Sequence, residues 1–233
     1  MYKNKTFLAV IPARGGSKRL PRKNLLELCG KPLIGWSIEA GLKNKYVDKV
    51  VVSSDDDEII NISKKFGADT IKRPSALATD KATTFDTIKH ALENTGKYDY
   101  LLLLQPTSPL RDAKHIKESI EMLEEKNADA IIGVSEVEHS PLWSNTLEKD
   151  NSMHNFIKEK LKNIRSQDLE KYFRVNGAIY LCKIDRLIQE KSFFLSANIY
   201  AYKMKNMDSI DIDEEIDFDL ANLTMKRKIT NET

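Results

Sequence analysis

The sequence predicts an α/β fold in which helices cover both faces of a mostly parallel central sheet. Apolar, strand-like runs alternate with helical segments, so that five strands and four helices follow one another between residues 7 and 135. One run, residues 98–105, is almost continuously apolar, which is typical of a central strand buried on both faces. A chain of 233 residues can bury a proper core, and we expect one domain spanning residues 1–233.

Capping and breaking residues mark the predicted helices. Pro32 lies in the first turn of the first helix, and the acids at 55–57 cap the second, which Gly67 ends. Thr83 or Thr84 caps the third. The predicted strands are 7–11, 47–54, 70–72, 98–105, 128–135, 173–182 and 199–204, and the remaining helices are 112–126, 185–190 and 214–228.

The alternation stops at residues 138–172. This segment is polar, mixed in charge and weakly periodic, and regular structure returns at once in the apolar strand at 173–182. We therefore expect an arm inserted within the domain, and not a linker between two domains.

Composition excludes several classes of protein. The formal net charge is only +2 and no apolar run approaches membrane-spanning length, so we expect neither a nucleic-acid nor a membrane partner. The first residues contain no apolar stretch of targeting type, and Cys29 and Cys182 stand alone, which is typical of reduced cysteines in a cytoplasmic protein. The four histidines form no His-Glu-x-x-His motif, and no nucleophile elbow is present, so we do not expect a hydrolase triad.

Residues 14–24, here called the cationic loop, follow the first strand. Arg14, Lys18, Arg19, Arg22 and Lys23 lie in this loop with no acid among them, and two adjacent glycines let the backbone bend. Its position at the carboxyl end of a strand, where α/β sheets bind ligands, favours a polyphosphate site over a solvated charge run. The spacing of its glycines matches neither a P-loop nor a dinucleotide fingerprint, which argues against P-loop ATPases and NAD enzymes.

Residues 208–219, here called the acidic turn, contain seven acids and no cation. Asp211 and Asp213 are two residues apart, which in an extended segment puts both carboxylates on one face, with Ile210 and Ile212 buried behind. Paired carboxylates without His or Cys suit Mg²⁺, whereas the alternative is that Asp213 caps the last helix. Mg²⁺ together with a basic loop indicates phosphoryl or nucleotidyl transfer.

Other candidate residues are less specific. Gln105 ends the apolar strand at the same sheet edge as the cationic loop, and a proline-rich turn explains the prolines after it but not the amide. Phe193 and Phe194 fit either the core or the wall of a sugar pocket. Asn176 and Tyr180 lie in the strand at 173–182, where alternation sends one set of side chains inward, and the sequence gives no more than that.

These segments together resemble the CMP-sialic acid synthetases (acylneuraminate cytidylyltransferases). The stretch Ile11-Pro-Ala-Arg-Gly-Gly-Ser-Lys-Arg-Leu-Pro-Arg-Lys-Asn24 is similar to the signature of that family. Four further segments match in order and spacing over nearly the whole chain: Arg73-Pro with Leu77-Ala, Leu104-Gln-Pro-Thr-Ser-Pro-Leu-Arg111, Arg174-x-Asn-Gly-Ala-Ile-Tyr180, and Ser209-Ile-Asp-Ile-Asp213.

The resemblance implies a three-layer, Rossmann-like fold of the nucleotide-diphospho-sugar transferase type, with residues 138–172 as a dimerisation arm that makes the protein a homodimer. It implies that CMP passes from CTP to a nonulosonic acid, with Mg²⁺, by direct attack of the anomeric hydroxyl on the α-phosphate, and that pyrophosphate is released. Carried over by position, Arg14, Ser17, Lys18 and Lys23 would hold the triphosphate; Asn24, Arg73, Ala82 and Thr84 would surround cytidine; Gln105, Tyr180, Phe193 and Phe194 would face the sugar acid; and Asp211 and Asp213 would bind the metal.

Two departures from the family pattern concern the sugar half of the site. Trp143 aligns with a lysine that contacts the sugar acid in some members, and the arm has Arg165-Ser166-Gln167 where members often have an Arg-Gln pair. N-acylneuraminate is the expected acid, with legionaminic and pseudaminic acids as alternatives. A synthetase for the eight-carbon acid Kdo ranks lower, because its basic loop differs after Ala-Arg, and a non-catalytic nucleotide-binding regulator is the alternative from another class.

Overall fold

The computed structural model describes the backbone of residues 1–232 and the side chains of residues 1–230. Its elements begin and end close to the predicted positions. The strands are β1 (Phe7–Pro12), β2 (Glu27–Leu28), β3 (Lys31–Pro32), β4 (Lys49–Ser54), β5 (Asp69–Lys72), β6 (Tyr100–Leu103), β7 (Ala130–Glu136), β8 (Phe173–Lys183) and β9 (Ile199–Met204). The helices are α1 (Leu33–Leu42), α2 (Asp57–Lys65), α3 (Thr84–Glu93), α4 (Ala113–Glu125), α5 (Ile184–Glu190) and α6 (Glu215–Glu232).

Seven strands form the main sheet in the order β5-β4-β1-β6-β8-β7-β9. The pairs β1–β4, β1–β6, β4–β5 and β7–β9 are parallel, which confirms the predicted mostly parallel sheet. Strand β8 is antiparallel to both neighbours, β6 and β7. The carboxyl end of β6 therefore lies beside the middle of β8, so side chains from both strands reach the same sheet edge.

Helices pack on both faces of the sheet, as the alternation predicts. Along β1, Phe7, Ala9 and Ile11 enter one core with residues of α1, α2 and α4, whereas Leu8 and Val10 enter a second core with residues of α3 and α5. This is the period-2 alternation of a strand covered on both sides. A third, smaller core joins α6 to the segment around β2 and includes the fully buried Ile212 of the acidic turn.

Side-chain caps fix several helix starts. Asp56, the middle of the three predicted acids, accepts hydrogen bonds from the N–H groups of Glu58 (2.9 Å) and Ile59 (3.1 Å) at the start of α2. Thr83, and not Thr84, caps α3. The prediction that Pro32 lies inside the first helix is wrong by one residue: Pro32 pairs with β2, and α1 begins directly after it.

Residues 137–172, which include the predicted arm, join β7 to β8, and Glu136 pairs with Phe173 across its base. The arm contains three short 3₁₀ turns, at Pro141–Trp143, Glu159–Leu161 and Ser166–Asp168, and no strand or α-helix. Leu147 and Met153 are more than half exposed on it. Its role in dimerisation stays a prediction. Within residues 1–232, no helix combines the length and apolar character needed to cross a bilayer.

A half-buried charge cluster, which joins the start of α4 to the first residue of the acidic turn and to α6, makes stability depend on pH. His115 lies 2.9 Å from Asp112 and 3.6 Å from Asp208, and Lys228 bonds to both carboxylates at 2.8 and 3.0 Å. Burial lowers the pKa of His115, but its hydrogen bonds to the two carboxylates outweigh burial and raise the pKa overall. The native state therefore favours the protonated imidazole, and the stability that it contributes is lost as pH rises through the folded-state pKa.

We accordingly expect the urea midpoint of unfolding to fall between pH 6 and pH 8.5, and the fall to be smaller in His115→Gln. The same two measurements on His139→Gln, a substitution of an exposed histidine in the arm, serve as the control. An identical pH dependence in the wild type and in His115→Gln would contradict this assignment.

Candidate active site

The cationic loop leaves the carboxyl end of β1, as predicted, and contacts at both ends hold it in place. Asn24 is buried, and its Nδ2 donates to the carbonyl of Arg14 (2.9 Å), which ties the end of the loop to its start. Arg22 has a left-handed backbone (φ 56°), and its guanidinium pairs with Asp56 at 2.6 Å. The loop is thus closed on itself and clamped to the start of α2.

A cavity of about 380 Å³ opens between the cationic loop and the acidic turn. The loop contributes four of the predicted phosphate-binding residues, and the acidic turn and the end of β6 supply the opposite wall. Its lining includes Arg14, Ser17, Lys18, Lys23, Asn24, Asp80, Gln105 and Asp213. The fold therefore brings together the two charge clusters that lie about 190 residues apart in the chain.

Two acids that line the cavity pair with four of the five cations of the loop, although no acid lies among these cations along the chain. Asp80 lies 2.8 Å from Arg14 and 2.5 Å from Lys18, and hydrogen bonds from Lys18 and Arg14 lower its pKa. On the other side, Asp213 lies 3.1 Å from Arg19 and 3.4 Å from Lys23. Sequence reasoning missed Asp80, because a single acid in a polar stretch has no spacing signal.

A second cavity, of about 310 Å³, adjoins the first and shares Pro12, Arg14, Asp80 and Gln105 with it. Arg73 lines this cavity together with Ala82 and Thr84, so three of the residues predicted around cytidine lie together.

Arg73 is incompletely paired although it is only 5% exposed. It donates from Nη1 to Thr87 Oγ1 (3.1 Å) and lies 3.7 Å from Asp55, whereas Nε and Nη2 have no hydrogen-bond partner in the described residues. Burial lowers its pKa, although the charge of Asp55 opposes this. Unpaired buried donors that line a cavity suit the acceptor oxygens of a ligand.

The acidic turn places Asp211 and Asp213 on either side of the buried Ile212. Ile212 is fully buried and its N–H donates to the carbonyl of Thr107 (2.8 Å), which docks the turn beside the loop that follows β6. The carboxylate of Asp213 contacts cations of the cationic loop, and its backbone N–H donates to Asp217 Oδ2 (3.0 Å). The pairing of its carboxylate with Arg19 and Lys23 favours a role in the cavity over the helix-capping alternative for Asp213, whereas the bond of its N–H belongs to the start of α6.

The donor set fits a hard cation. Asp211 Oδ1 is buried without a hydrogen-bond partner in the described residues. Burial raises the pKa of Asp211, the bond to Thr107 opposes this, and the charge of Asp213 adds to it. Within the described residues, no group of three or more His, Cys, Asp or Glu side chains could hold a metal. Two carboxylates nevertheless suit Mg²⁺, which binds through one or two carboxylates and substrate phosphates.

An aromatic group lies on the β8 side of the site. The ring of Tyr180 is 5.4 Å from that of Phe193 and 6.4 Å from that of Phe194. Phe193 belongs to the core, whereas Phe194 is 57% exposed, and neither ring lines the two cavities. Asn176 faces inward and bonds through Nδ2 to Ser209 Oγ (3.0 Å), which anchors β8 to the start of the acidic turn.

Gly177 lies at the centre of this arrangement, and sequence reasoning assigned it no role. Its φ is +75°, and a Cβ at this position would lie 2.8 Å from Gln105 Oε1, 3.4 Å from Ser108 Oγ and 3.7 Å from Asp211 Oδ2. Gln105 and Asp211 therefore approach each other across a gap that any side chain would occupy. Only glycine allows both this backbone conformation and this approach.

The comparison with known families agrees with this geometry. The profile described as "Cytidylyltransferase" matches residues 8–229, which is nearly the whole chain. The chain belongs to the cytidylyltransferase family. The cationic loop, the Arg73 cavity and the acidic turn all lie within the matched residues.

Several characterised cytidylyltransferases are similar in sequence. The N-acylneuraminate cytidylyltransferase of Escherichia coli is 36% identical over 223 residues, which is 95% of this chain and 52% of the relative. The CMP-N,N'-diacetyllegionaminic acid synthase of Legionella pneumophila is 35% identical and covers 94% of this chain and 96% of its own length. A pseudaminic acid cytidylyltransferase of Campylobacter jejuni is 33% identical over similar shares. The chain spans about half the length of the N-acylneuraminate cytidylyltransferases that it matches.

Solved structures share the fold of this cytidylyltransferase. A CMP:2-keto-3-deoxy-manno-octonic acid synthetase complexed with CTP superposes with a TM-score of 0.72 at 18% identity, over 96% of this chain and 99% of that one. A 4-diphosphocytidyl-2C-methyl-D-erythritol synthase from Anaerococcus prevotii gives a TM-score of 0.67 at 13% identity, over 95% and 99%. The predicted nucleotide-sugar transferase fold is therefore confirmed.

The fold does not bring every predicted residue of this cytidylyltransferase to the cavities. Trp143 and Arg165 lie in the arm, and neither lines the two cavities described above. Arg165 is exposed and Trp143 half-buried.

Substituting Gly177 tests whether the close approach matters for activity. In Gly177→Ala we expect a loss of about 1–2 kcal/mol in the free energy of unfolding, because of the left-handed φ. We also expect kcat/KM for the sugar acid to fall about tenfold or more, because the new methyl displaces Gln105. Steady-state kinetics and urea unfolding measure the two effects. Gly96→Ala, whose Cβ would meet only Tyr98 at 3.8 Å, is the matched control, and equal kinetics in both variants would contradict the prediction.

Proposed function

We propose that this cytidylyltransferase transfers CMP from CTP to a nonulosonic acid, with N-acylneuraminate as the substrate. The observation that carries the proposal is the pair of adjoining cavities. One has the cationic loop facing two carboxylates, and the other has the incompletely paired guanidinium of Arg73. The first suits a triphosphate with its cation, and the second suits a base with acceptor oxygens.

In the proposed reaction, the anomeric hydroxyl oxygen attacks the α-phosphorus, and its proton passes to solvent water as the new O–P bond forms. The bond from the α-phosphorus to the oxygen that bridges the α- and β-phosphates breaks, and pyrophosphate leaves with that electron pair. Arg14 and Lys23 stabilise the negative charge that builds up on the phosphates. Gln105 and Tyr180 orient the sugar acid beside the acidic turn.

We propose that Asp211 and Asp213 hold Mg²⁺. The support is the buried, unpartnered Oδ1 of Asp211 and the charge of the neighbouring Asp213. The bound ion would supply Lewis-acid polarisation of the phosphates. Asp213 would then exchange its contacts with Arg19 and Lys23 for the ion, which would free both cations for phosphate oxygens.

We propose further that the arm pairs two copies of the chain. The exposed apolar residues on it, Leu147 and Met153, support a covering partner. Trp143 and Arg165 would then contact the sugar acid in the site of the partner chain, since they line neither of the two cavities of their own chain. Sedimentation of the wild type and of a Leu147→Glu, Met153→Glu double variant tests this proposal, and a monomeric wild type would contradict it.

The decisive assay is pyrophosphate release from CTP and Mg²⁺ with a panel of N-acetylneuraminate, legionaminic, pseudaminic and eight-carbon Kdo acids. We expect release with N-acetylneuraminate. Legionaminic acid is the second candidate, because the legionaminic acid synthase matches over 96% of its own length. No release with any acid, together with calorimetric binding of CTP, would indicate a nucleotide-binding regulator and overturn the proposal.

A further inference from the structure

Arg111 is a fully buried arginine that the proposed chemistry does not use. It lies between the loop that follows β6 and the start of α4 and is 1% exposed. Its Nε donates to the carbonyl of Ala178 in β8 (3.3 Å), and its Nη2 donates to Ser37 Oγ in α1 (2.7 Å). Nη2 also lies 3.5 Å from the carbonyl of Gln105, to which Ser37 Oγ donates at 3.3 Å. One side chain thus joins three separate elements.

The two carbonyls that Arg111 contacts lie where two strands part. Strands β6 and β8 pair antiparallel as far as Leu103 opposite Tyr180. Gln105 lies two residues past the end of β6, Ala178 lies two residues before Tyr180 in β8, and the two do not pair with each other. Arg111 spans this point and takes the place of the missing ladder hydrogen bonds. The left-handed Gly177, whose Cβ would lie 2.8 Å from Gln105 Oε1, comes directly before Ala178 in the chain.

Stability alone does not account for an arginine at this position. Burial lowers the pKa of Arg111 to about 10, so the group stays cationic at neutral pH. Only neutral oxygens accept its hydrogen bonds within the described residues, and Nη1 has no partner there. A buried charge that is incompletely paired costs stability, whereas an apolar side chain of similar volume would not. The planar guanidinium, however, can donate to several oxygens in a fixed geometry.

We infer that Arg111 is a positioning residue: its guanidinium bridges the loop after β6 to strand β8 and thereby sets the distance from Gln105 to Tyr180. The inference rests on the proposed function, in which these two side chains orient the sugar acid. It concerns the acid half of the site, because Arg111 bonds to α1, β8 and the loop after β6 and, within the described residues, not to the cationic loop or Arg73.

Kinetics of Arg111→Met and Arg111→Lys test the inference. We expect Arg111→Met to raise KM for the sugar acid, or lower kcat, about tenfold or more, while calorimetry finds the Kd for CTP within about twofold of wild type. Arg111→Lys should resemble Arg111→Met, because an ammonium keeps the charge and cannot span both carbonyls. Full recovery in Arg111→Lys would show that the charge matters and the bridge does not, and would overturn the inference.

A matched control separates positioning from general stability. Arg186→Met removes a half-buried guanidinium that pairs with Asp129 and Glu190 away from the site, and we expect it to lower stability without changing either kinetic constant. If Arg111→Met does not fold, Ser37→Ala leaves Arg111 in place and should change KM or kcat for the sugar acid in the same direction. If the Kd for CTP changed together with these constants in Arg111→Lys or Ser37→Ala, the result would contradict the inference.

Hydrogen exchange distinguishes failure of this inference from failure of the proposed function. If the wild type released no pyrophosphate with any acid, the proposed function would fail whatever Arg111 does. Faster amide exchange confined to residues 104–110 and 176–180 in Arg111→Lys would still support the bridge. Exchange that is unchanged there, or raised throughout the sheet, would overturn it.

Discussion

Asp213→Asn should lower turnover by roughly three orders of magnitude, or about 4 kcal/mol of transition-state stabilisation, while the fold survives. The carboxylate lies beside Lys23 and Arg19 at the wall of the larger cavity, where a metal and the triphosphate would meet. Asparagine keeps the size of the side chain and removes its charge, so it weakens metal binding without opening a cavity. Pyrophosphate release at several Mg²⁺ concentrations measures the loss.

Asp219→Asn is the matched control, because it removes an exposed acid from the first turns of α6. We expect it to leave turnover unchanged, and circular dichroism should show that both variants stay folded. Near-normal turnover in Asp213→Asn would return this residue to the helix-capping alternative and would remove one of the two proposed metal ligands.

Lys23→Met should lower kcat about a hundredfold or more. Among the cations of the cationic loop that pair with acids, Lys23 is the most buried, and its side chain is 13% exposed. Its Nζ donates to the carbonyl of Ile212 (2.6 Å) and lies 3.4 Å from Asp213. It therefore connects the loop to the acidic turn. Methionine keeps the packing of the stem and removes the charge that would stabilise the phosphates in the transition state.

Lys49→Met is the control for this variant. Lys49 pairs with Asp69 where β4 and β5 begin, and it lines neither cavity of the site. Rapid-quench measurement of the chemical step, together with calorimetry for CTP, separates lost catalysis from lost binding. A Lys23→Met enzyme with normal kcat and only a raised KM for CTP would show that Lys23 binds the ground state and the transition state equally.

Local sequence signals predicted most element boundaries, because they act over a few residues. Asp56 and Thr83 satisfy free backbone N–H groups at helix starts, and the alternation along β1 places its side chains in two cores. Strand β6 spans Tyr100–Leu103 and is shorter than the predicted 98–105, although the N–H of Leu104 still donates to the carbonyl of Val10 in β1 (3.0 Å). No local signal reports where a strand loses its neighbour.

The composition of the site was also largely predictable from the chain. The cationic loop follows a buried strand and the acidic turn has a two-residue carboxylate spacing, so both could be assigned a chemistry from residue types alone. Asp80 could not be found in this way, because its contacts with Arg14 and Lys18 depend on how a separate loop folds over the first. Gly177 carries no charge or donor, and its importance follows from what surrounds it.

The sequence by itself determined the α/β class, the helix starts and the chemical character of the two charged segments, because propensity, capping and charge are properties of neighbouring residues. Tertiary structure alone decided that β8 runs antiparallel between β6 and β7, since pairing between distant strands depends on packing across the whole sheet. That placement puts Ala178 beside Gln105 and gives Arg111 two carbonyls to bridge. It also brings the acidic turn to the cationic loop, which turns two separate charge clusters into one site.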